Sequence, residues 1–153
     1  MWCAEPLLTK PWILDVDVTV KPLYGHQEGA EVGYNPHKPG RPSHTYHTYF
    51  IGNLRLALDV EVRPGNQNAA AHTRPGLWHF LGRLPQAARP AFLRGDGACG
   101  TDHLMREAEA TGLPYLCKPK QTNRVKGVIE KLFAELVWES TGQGWEGVDT
   151  TRQ

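Results

Sequence analysis

The sequence predicts an α/β protein built on a mixed sheet, three antiparallel strands followed by alternating helices and parallel strands. Three observations carry this reading. The first half holds three runs rich in β-branched and apolar residues, at 12–20, 44–50 and 54–62, and such runs form strands. They follow one another without an intervening helical pattern, so they are expected to form an antiparallel meander. The second half alternates helical periodicity with short apolar runs, which places the later strands parallel in the same sheet. Helices are expected on both of its faces.

The elements follow in order. "WILDVDVTV" (12–20) is the first strand. The segment after it is dense in Gly, Pro and Asn, and "GYNPHKPGRPS" reads as a turn or extended loop. "HTYHTYF" and "LRLALDVEV" are the second and third strands. "RPGNQN" ends the third, and Asn66 or Asn68 caps a helix over "AAAHTRPGLWHFLGRL". Pro75 and Gly76 predict a break or kink within it. Trp78, Phe80 and Leu81 read as core. "RPAFLRGDGACG" is a short strand entering a glycine-flanked turn. "TDHLMREAEATG" starts a helix at Thr101 or Asp102 and stops it at Gly112. "LPYLCKPK" is the next strand. Val125, Val128, Ile129, Leu132 and Leu136 then repeat with helical period. The Gly- and Thr-rich tail from Thr141 is expected to be loosely held.

A chain of 153 residues amounts to about one domain. With 40% hydrophobic and 22% charged residues it can build a core. A net charge of +1 neither suggests nor excludes nucleic acid, because a local basic patch can sit on a neutral protein. No apolar run reaches the roughly 18 residues of a membrane helix, and the N-terminus lacks the pattern of a secretory signal. Cys3, Cys99 and Cys117 are odd in number and show no CxxC spacing. They fit a reducing cytoplasm rather than a zinc knuckle or disulfide framework. Cys117 reads as a core thiol in a strand.

The first strand poses a problem. Side chains alternate across a strand, so Ile13, Asp15, Asp17 and Thr19 share one face while Leu14, Val16, Val18 and Val20 share the other. The apolar face packs under a helix. The acidic face must meet water, a cation or a basic partner, since burying unpaired charge costs several kcal/mol. Asp96, in "LRGDGAC", stands where another apolar strand ends, and flanking glycines let a ligand approach. Ligands of open α/β sheets collect at the carboxyl ends of strands. If the first and fourth strands are neighbours, Asp17 and Asp96 converge, and paired carboxylates suit Mg²⁺ or Mn²⁺. On spacing alone the plainer reading is slightly favoured: Asp15 as an ion-paired acid and Asp96 as an ordinary turn residue.

Three stretches carry a resemblance to a known family. "LDVDVTV", with Asp17–Thr19 as D-x-T, resembles the first acidic motif of insertion-sequence DDE transposases, whose catalytic core is ribonuclease H-like. "YGHQEGAEVGYNPHKPGRPSHTYH" resembles the glycine-rich hairpin that follows it in one bacterial group, and this long match is the specific one. "LRGDGACG" resembles the second acidic motif. The likeness runs from about Trp12 to about Trp145. It implies a ribonuclease H-like core over residues 12–122, a short lead-in over 1–11, and a helix with the start of a family insertion over 123–153. It implies Asp17 and Asp96 as catalytic, Mg²⁺-binding acids, with Asp15 as a supporting acid or the alternative ligand. The implied chemistry is DNA cleavage by water, then strand transfer by the freed 3′-OH, without a covalent enzyme intermediate. The implied partners are transposon ends and target DNA, with room for a homodimer.

The family's third acid, a Glu on a later helix beside Tyr, Arg and Lys, has no match. Glu130, Glu135 and Glu139 are assigned to the last helix as solvated charges. The resemblance therefore implies a truncated core that is inactive alone. Two further readings stand beside it: a non-catalytic nucleic-acid-binding remnant, and a small metal-dependent nuclease that completes its site with Asp15. Lys38 and Arg41 in the glycine-rich hairpin are candidate DNA contacts, as are Lys118 and Lys120 after the fifth strand. Each is equally readable as a solvated side chain. His44 and His47, three apart in a strand, point to opposite faces and share no metal. Trp138 and Trp145 are expected to be exposed, which favours self-association.

Overall fold

The structure is a computed structural model. It describes Leu8 and residues 10–35, 38–135 and 138–149. Cys3, Leu136 and most of the 1–11 lead-in lie outside the described residues. The chain forms two compact units, Met1–Pro119 and Lys120–Gln153.

The first unit holds a six-stranded sheet. Its strands are β1 (Ile13–Pro22), β2 (Glu31–Val32), β3 (Pro42–Ile51), β4 (Leu56–Pro64), β5 (Phe92–Gly100) and β6 (Tyr115–Pro119). The path runs β2-β3-β1-β5-β6, with β4 also paired to β3. β3 is antiparallel to β1, β2 and β4, and β5 is parallel to β1 and β6. The expected order of antiparallel strands followed by parallel ones is therefore what forms. Among its described residues before Pro42, the glycine-rich segment contributes β2, a two-residue strand against Pro42 and Ser43.

Alternation decides which face is buried. Leu14 and Val16 of β1 face the core with Tyr49 and Ile51 of β3 and Leu93 of β5. Two helices, α1 (Ala69–Gly82) and α2 (Asp102–Thr111), supply Leu77, Phe80, Leu81, Leu104 and Ala108 to that side. The Tyr49 and Phe80 rings stack with centroids 4.6 Å apart. Trp12 closes one end, its Nε1–H donating to the Ala88 carbonyl at 3.1 Å. Both helices of this unit thus serve one core, where helices on both faces were expected. The apolar row of β1 is also shorter than expected: Val20 is exposed.

The caps explain the helix boundaries. The Asn68 carboxamide accepts from the Ala70 and Ala71 amides. α1 then continues through Pro75 without the expected break. Pro75 is exposed, while burial of Gly76, Leu77, Phe80 and Leu81 holds the following turns to the sheet. Thr101 caps α2, and Gly112 ends it with φ 67°. Arg74 of α1 pairs with Glu107 of α2, which also accepts from Trp78 Nε1 at 2.5 Å.

The second unit contains α3 (Asn123–Glu135) and a hairpin of β7 (Glu139–Gly142) and β8 (Trp145–Gly147). Thr122 caps α3 through its hydroxyl, which accepts from the Val125 amide. The tail expected to be loose forms this hairpin. Its turn residues Gln143 and Gly144 both have positive φ, which suits a tight two-residue connection. Glu139 lies on β7, not on the helix. Trp145 is exposed, as expected, whereas Trp138 is partly buried against Phe133. No helix among the described residues is long and apolar enough to cross a membrane.

Candidate active site

The parallel pairing of β1 with β5 brings the two acidic motifs together. The paired residues run from Ile13 and Phe92 to Val16 and Gly95. Asp17 and Asp96 each stand one residue beyond the last pair, towards the carboxyl ends of adjacent strands. Both side chains are exposed. Both carboxylates also push the buried Cys99 thiol up.

Each carboxylate is held by one oxygen. Thr19 Oγ1 donates to Asp17 Oδ2 at 2.9 Å, and Thr48 Oγ1 donates to the Asp17 carbonyl at 3.2 Å. The Ala98 amide donates to Asp96 Oδ1 at 3.0 Å. The remaining oxygens, Asp17 Oδ1 and Asp96 Oδ2, receive no hydrogen bond from the described residues. This is the arrangement two carboxylates need to offer hard oxygen donors to a divalent cation that keeps part of its water shell. Among the described residues, no group of three or more His, Cys, Asp or Glu side chains is placed to hold a metal ion.

Asp15 is occupied differently. Arg94, its partner across the β1–β5 pairing, donates to both of its oxygens at 2.7 and 2.6 Å. The carboxylate holds the Arg94 guanidinium above its usual pKa. This is a fork-to-fork pair, with Arg94 about half exposed (51%).

The segment carrying Asp96 is a bulge. Between Gly95 and Gly100 five residue steps of β5 face two steps of β6, from Cys117 to Pro119. Cys99 returns the chain to the sheet and is fully buried. A Cβ on Gly95 would stand 2.4 Å from its Sγ, so only glycine leaves room for the thiol. Cys117, expected to be a core thiol, is only partly buried. The neighbouring Cys117 thiol and burial push Cys99 up, while the Cys99 thiol draws Cys117 down against the opposing effect of its own burial.

The four candidate DNA contacts are all exposed. The Lys38 amide donates to Asn35 Oδ1 at 3.2 Å, closing its turn. The Arg41 guanidinium lies over the Tyr24 ring, 4.5 Å from its centroid. Lys118 is on β6 in the first unit, and Lys120 opens the second.

Sequence reasoning missed a second polar cluster, between β3, β4 and α1. His44 and His47 do point to opposite faces, and His47 is buried. Its ring lies 4.7 Å from that of His72. His72 Nε2 is 2.7 Å from Glu61 Oε2, which also accepts from Arg63 at 3.2 Å. Tyr49 donates to Glu61 Oε1 at 3.2 Å. Glu61, His47 and His72 are far apart in sequence, so only the strand register could have grouped them. A separate cleft of about 300 Å³ lies by Pro90, Ala91 and Pro114. That is the amino end of β5 and β6, the opposite end from Asp96.

A sheet of this order, with acids at the carboxyl ends of two adjacent parallel strands, is a ribonuclease H-like fold. The chain belongs to the family described as transposase DDE domain group 1, whose model matches residues 5–148. No curated protein matches it significantly. Among solved structures, the piggyBac transposase synaptic complex with hairpin DNA is similar at TM-score 0.50 and 12% identity, over 79% of this chain and 26% of that one. The HTLV-2 integrase catalytic core domain in complex with magnesium aligns at TM-score 0.44 and 14% identity, over 82% and 71% of the two chains. The Mos1 strand transfer complex aligns at 0.45 and 12%, over 82% and 48%. The chain spans 38% of the matched chain in a simian T-cell lymphotropic virus intasome.

Proposed function

We propose that this chain carries two of the three metal-binding acids of a DNA strand-transferring enzyme, Asp17 and Asp96, and that Mg²⁺ or Mn²⁺ binds between them. The observation that carries the reading is the β1–β5 pairing, which sets both acids side by side with one unbonded oxygen each. A bound divalent cation would supply charge neutralisation for attack on a phosphodiester. Thr19 and the Ala98 amide fix the orientation of the two carboxylates, so the free oxygens need little reordering to meet a ligand. Asp15 serves as the supporting acid: engaged by Arg94, it is a poorer ligand than Asp17. Lys38, Arg41, Lys118 and Lys120 contact DNA phosphates. The DNA of transposon ends and target is the substrate.

No third acid joins the pair among the described residues, which supports reading the chain alone as inactive in strand transfer. That same observation favours the second reading, a nucleic-acid-binding remnant without catalysis. Mn²⁺ binding followed by electron paramagnetic resonance separates them. The enzyme-derived site requires binding that falls about tenfold or more in Asp17→Asn and in Asp96→Asn, as expected when a two-carboxylate site loses one ligand. Asp15→Asn retains most of it. A folded chain that binds no Mn²⁺ leaves only the remnant reading. Nicking of supercoiled DNA that is lost in Asp15→Ala as well as in Asp17→Ala and Asp96→Ala would instead support a small nuclease completed by Asp15.

A further inference from the structure

Cys99 and Cys117 stand in a relation that neither the acids nor the DNA reading uses. Gly95 pairs with Cys117 on the neighbouring strand, and paired strands lie about 4.8 Å apart. The Cys99 Sγ comes within 2.4 Å of where a Gly95 Cβ would stand. The thiol of Cys99 therefore fills the gap left by a missing side chain, directly beside Cys117. Each thiol acts on the ionisation of the other. Cys99 is sealed from solvent, while Cys117 is partly exposed. One thiol can meet a solute and the other can only meet its neighbour, which is the division of labour of an attacking and a resolving cysteine.

We propose that Cys99 and Cys117 form a redox-active dithiol that a peroxide-class oxidant converts into an intrachain disulfide. Cys117 thiolate attacks a peroxide oxygen; an S–O bond forms, the O–O bond breaks, and hydroxide leaves. Cys99 sulfur then attacks the sulfenic sulfur of Cys117; the S–S bond forms, the S–O bond breaks, and the departing hydroxide takes the Cys99 proton as water. Hydrogen peroxide is reduced to two waters and the two thiols are oxidised by two electrons. An external dithiol reverses the change by exchange. The bond ties β6 to the residue that closes the Asp96 bulge, so it makes a modification site beneath the acids. Neither metal nor DNA takes part, so the proposal stands or falls apart from the strand-transfer reading.

The test uses the full chain carrying Cys3→Ser, reduced, desalted and then exposed to a modest excess of hydrogen peroxide. Thiol titration in denaturant is expected to fall from both thiols to none. The intact mass falls by two hydrogens, tryptic peptides containing Cys99 and Cys117 are linked, and dithiothreitol restores both thiols. With Cys117→Ser added, the remaining Cys99 resists peroxide in the folded chain and becomes reactive on denaturation. The proposal is overturned if the folded Cys3→Ser chain keeps both thiols. It is equally overturned if the mass gains oxygen without a Cys99–Cys117 link, or if the only disulfides join two chains.

Discussion

At the scale of single residues, the buried imidazole of His47 is the most consequential group outside the acidic site. It is 1% exposed, and its Nε2 has no hydrogen-bond partner among the described residues. Thr73 Oγ1 lies 3.4 Å from its Nδ1. Burial pushes its pKa down from 6.5 to about 4, helped by His72 and Arg63 and opposed by Glu61. The folded state therefore favours the neutral ring. The unfolded chain takes up a proton near 6.5, so this contribution is complete above that pH and is lost as pH falls towards 4. The loss amounts to at most roughly 3 kcal/mol by proton linkage. Glu61 continues the trend at lower pH. Burial pushes its carboxyl up, but bonds from His72, Arg63 and Tyr49 hold it below the ordinary value. The urea midpoint is expected to drop between pH 6.5 and 4, and His47→Gln to flatten that slope. An unchanged slope in the variant would assign the acid sensitivity to other groups.

At the scale of elements, the packing of α1 on the sheet depends on a residue that weakens the helix by itself. Gly76 costs roughly 1 kcal/mol of helix propensity relative to alanine. Yet its added Cβ would come within 2.8 Å of Tyr49 Oη, 3.1 Å of His72 Nε2 and 3.2 Å of Glu61 Oε1. Tyr49 is fully buried and stacked on Phe80, so it has nowhere to retreat. The clash should exceed the propensity gain. Gly76→Ala is expected to lower stability by about 1–3 kcal/mol, the usual range for overpacking, as measured by urea unfolding. A more stable variant would mean that the helix shifts freely over β3 and β4. The expected break at Pro75 rested on local backbone chemistry. It fails because the burial of Leu77, Phe80 and Leu81 outweighs one missing amide donor.

At the scale of the whole molecule, the division after Pro119 has a chemical consequence. Proline follows Lys10, Lys21, Lys38, Arg41, Arg63, Arg74, Arg89 and Lys118, which protects each of these peptide bonds from trypsin. Lys120, Gln121 and Thr122 are exposed and lie outside any helix or strand. Limited trypsinolysis is therefore expected to cut first between Lys120 and Gln121. Mass spectrometry of the first products checks this. An earlier cut at Arg55 or Arg83 would show that the sheet unit opens before the junction does.

The sequence alone determined what depends on neighbours a few residues apart. Alternation in "WILDVDVTV" separated Leu14 and Val16 from Asp15 and Asp17, and Asn68, Thr101 and Gly112 marked helix ends through hydrogen bonds within a turn. The family was legible in the same way, from contiguous motifs. Tertiary structure decided whatever depends on which strand lies beside which. Asp15 meets Arg94 across 79 residues of chain. Cys99 fills the space above Gly95 because β5 bulges there, and His47 meets His72 because α1 crosses β3. A one-residue change of strand register would move these side chains to opposite faces. Local periodicity fixes a side chain's face, but only the packed sheet selects its partner.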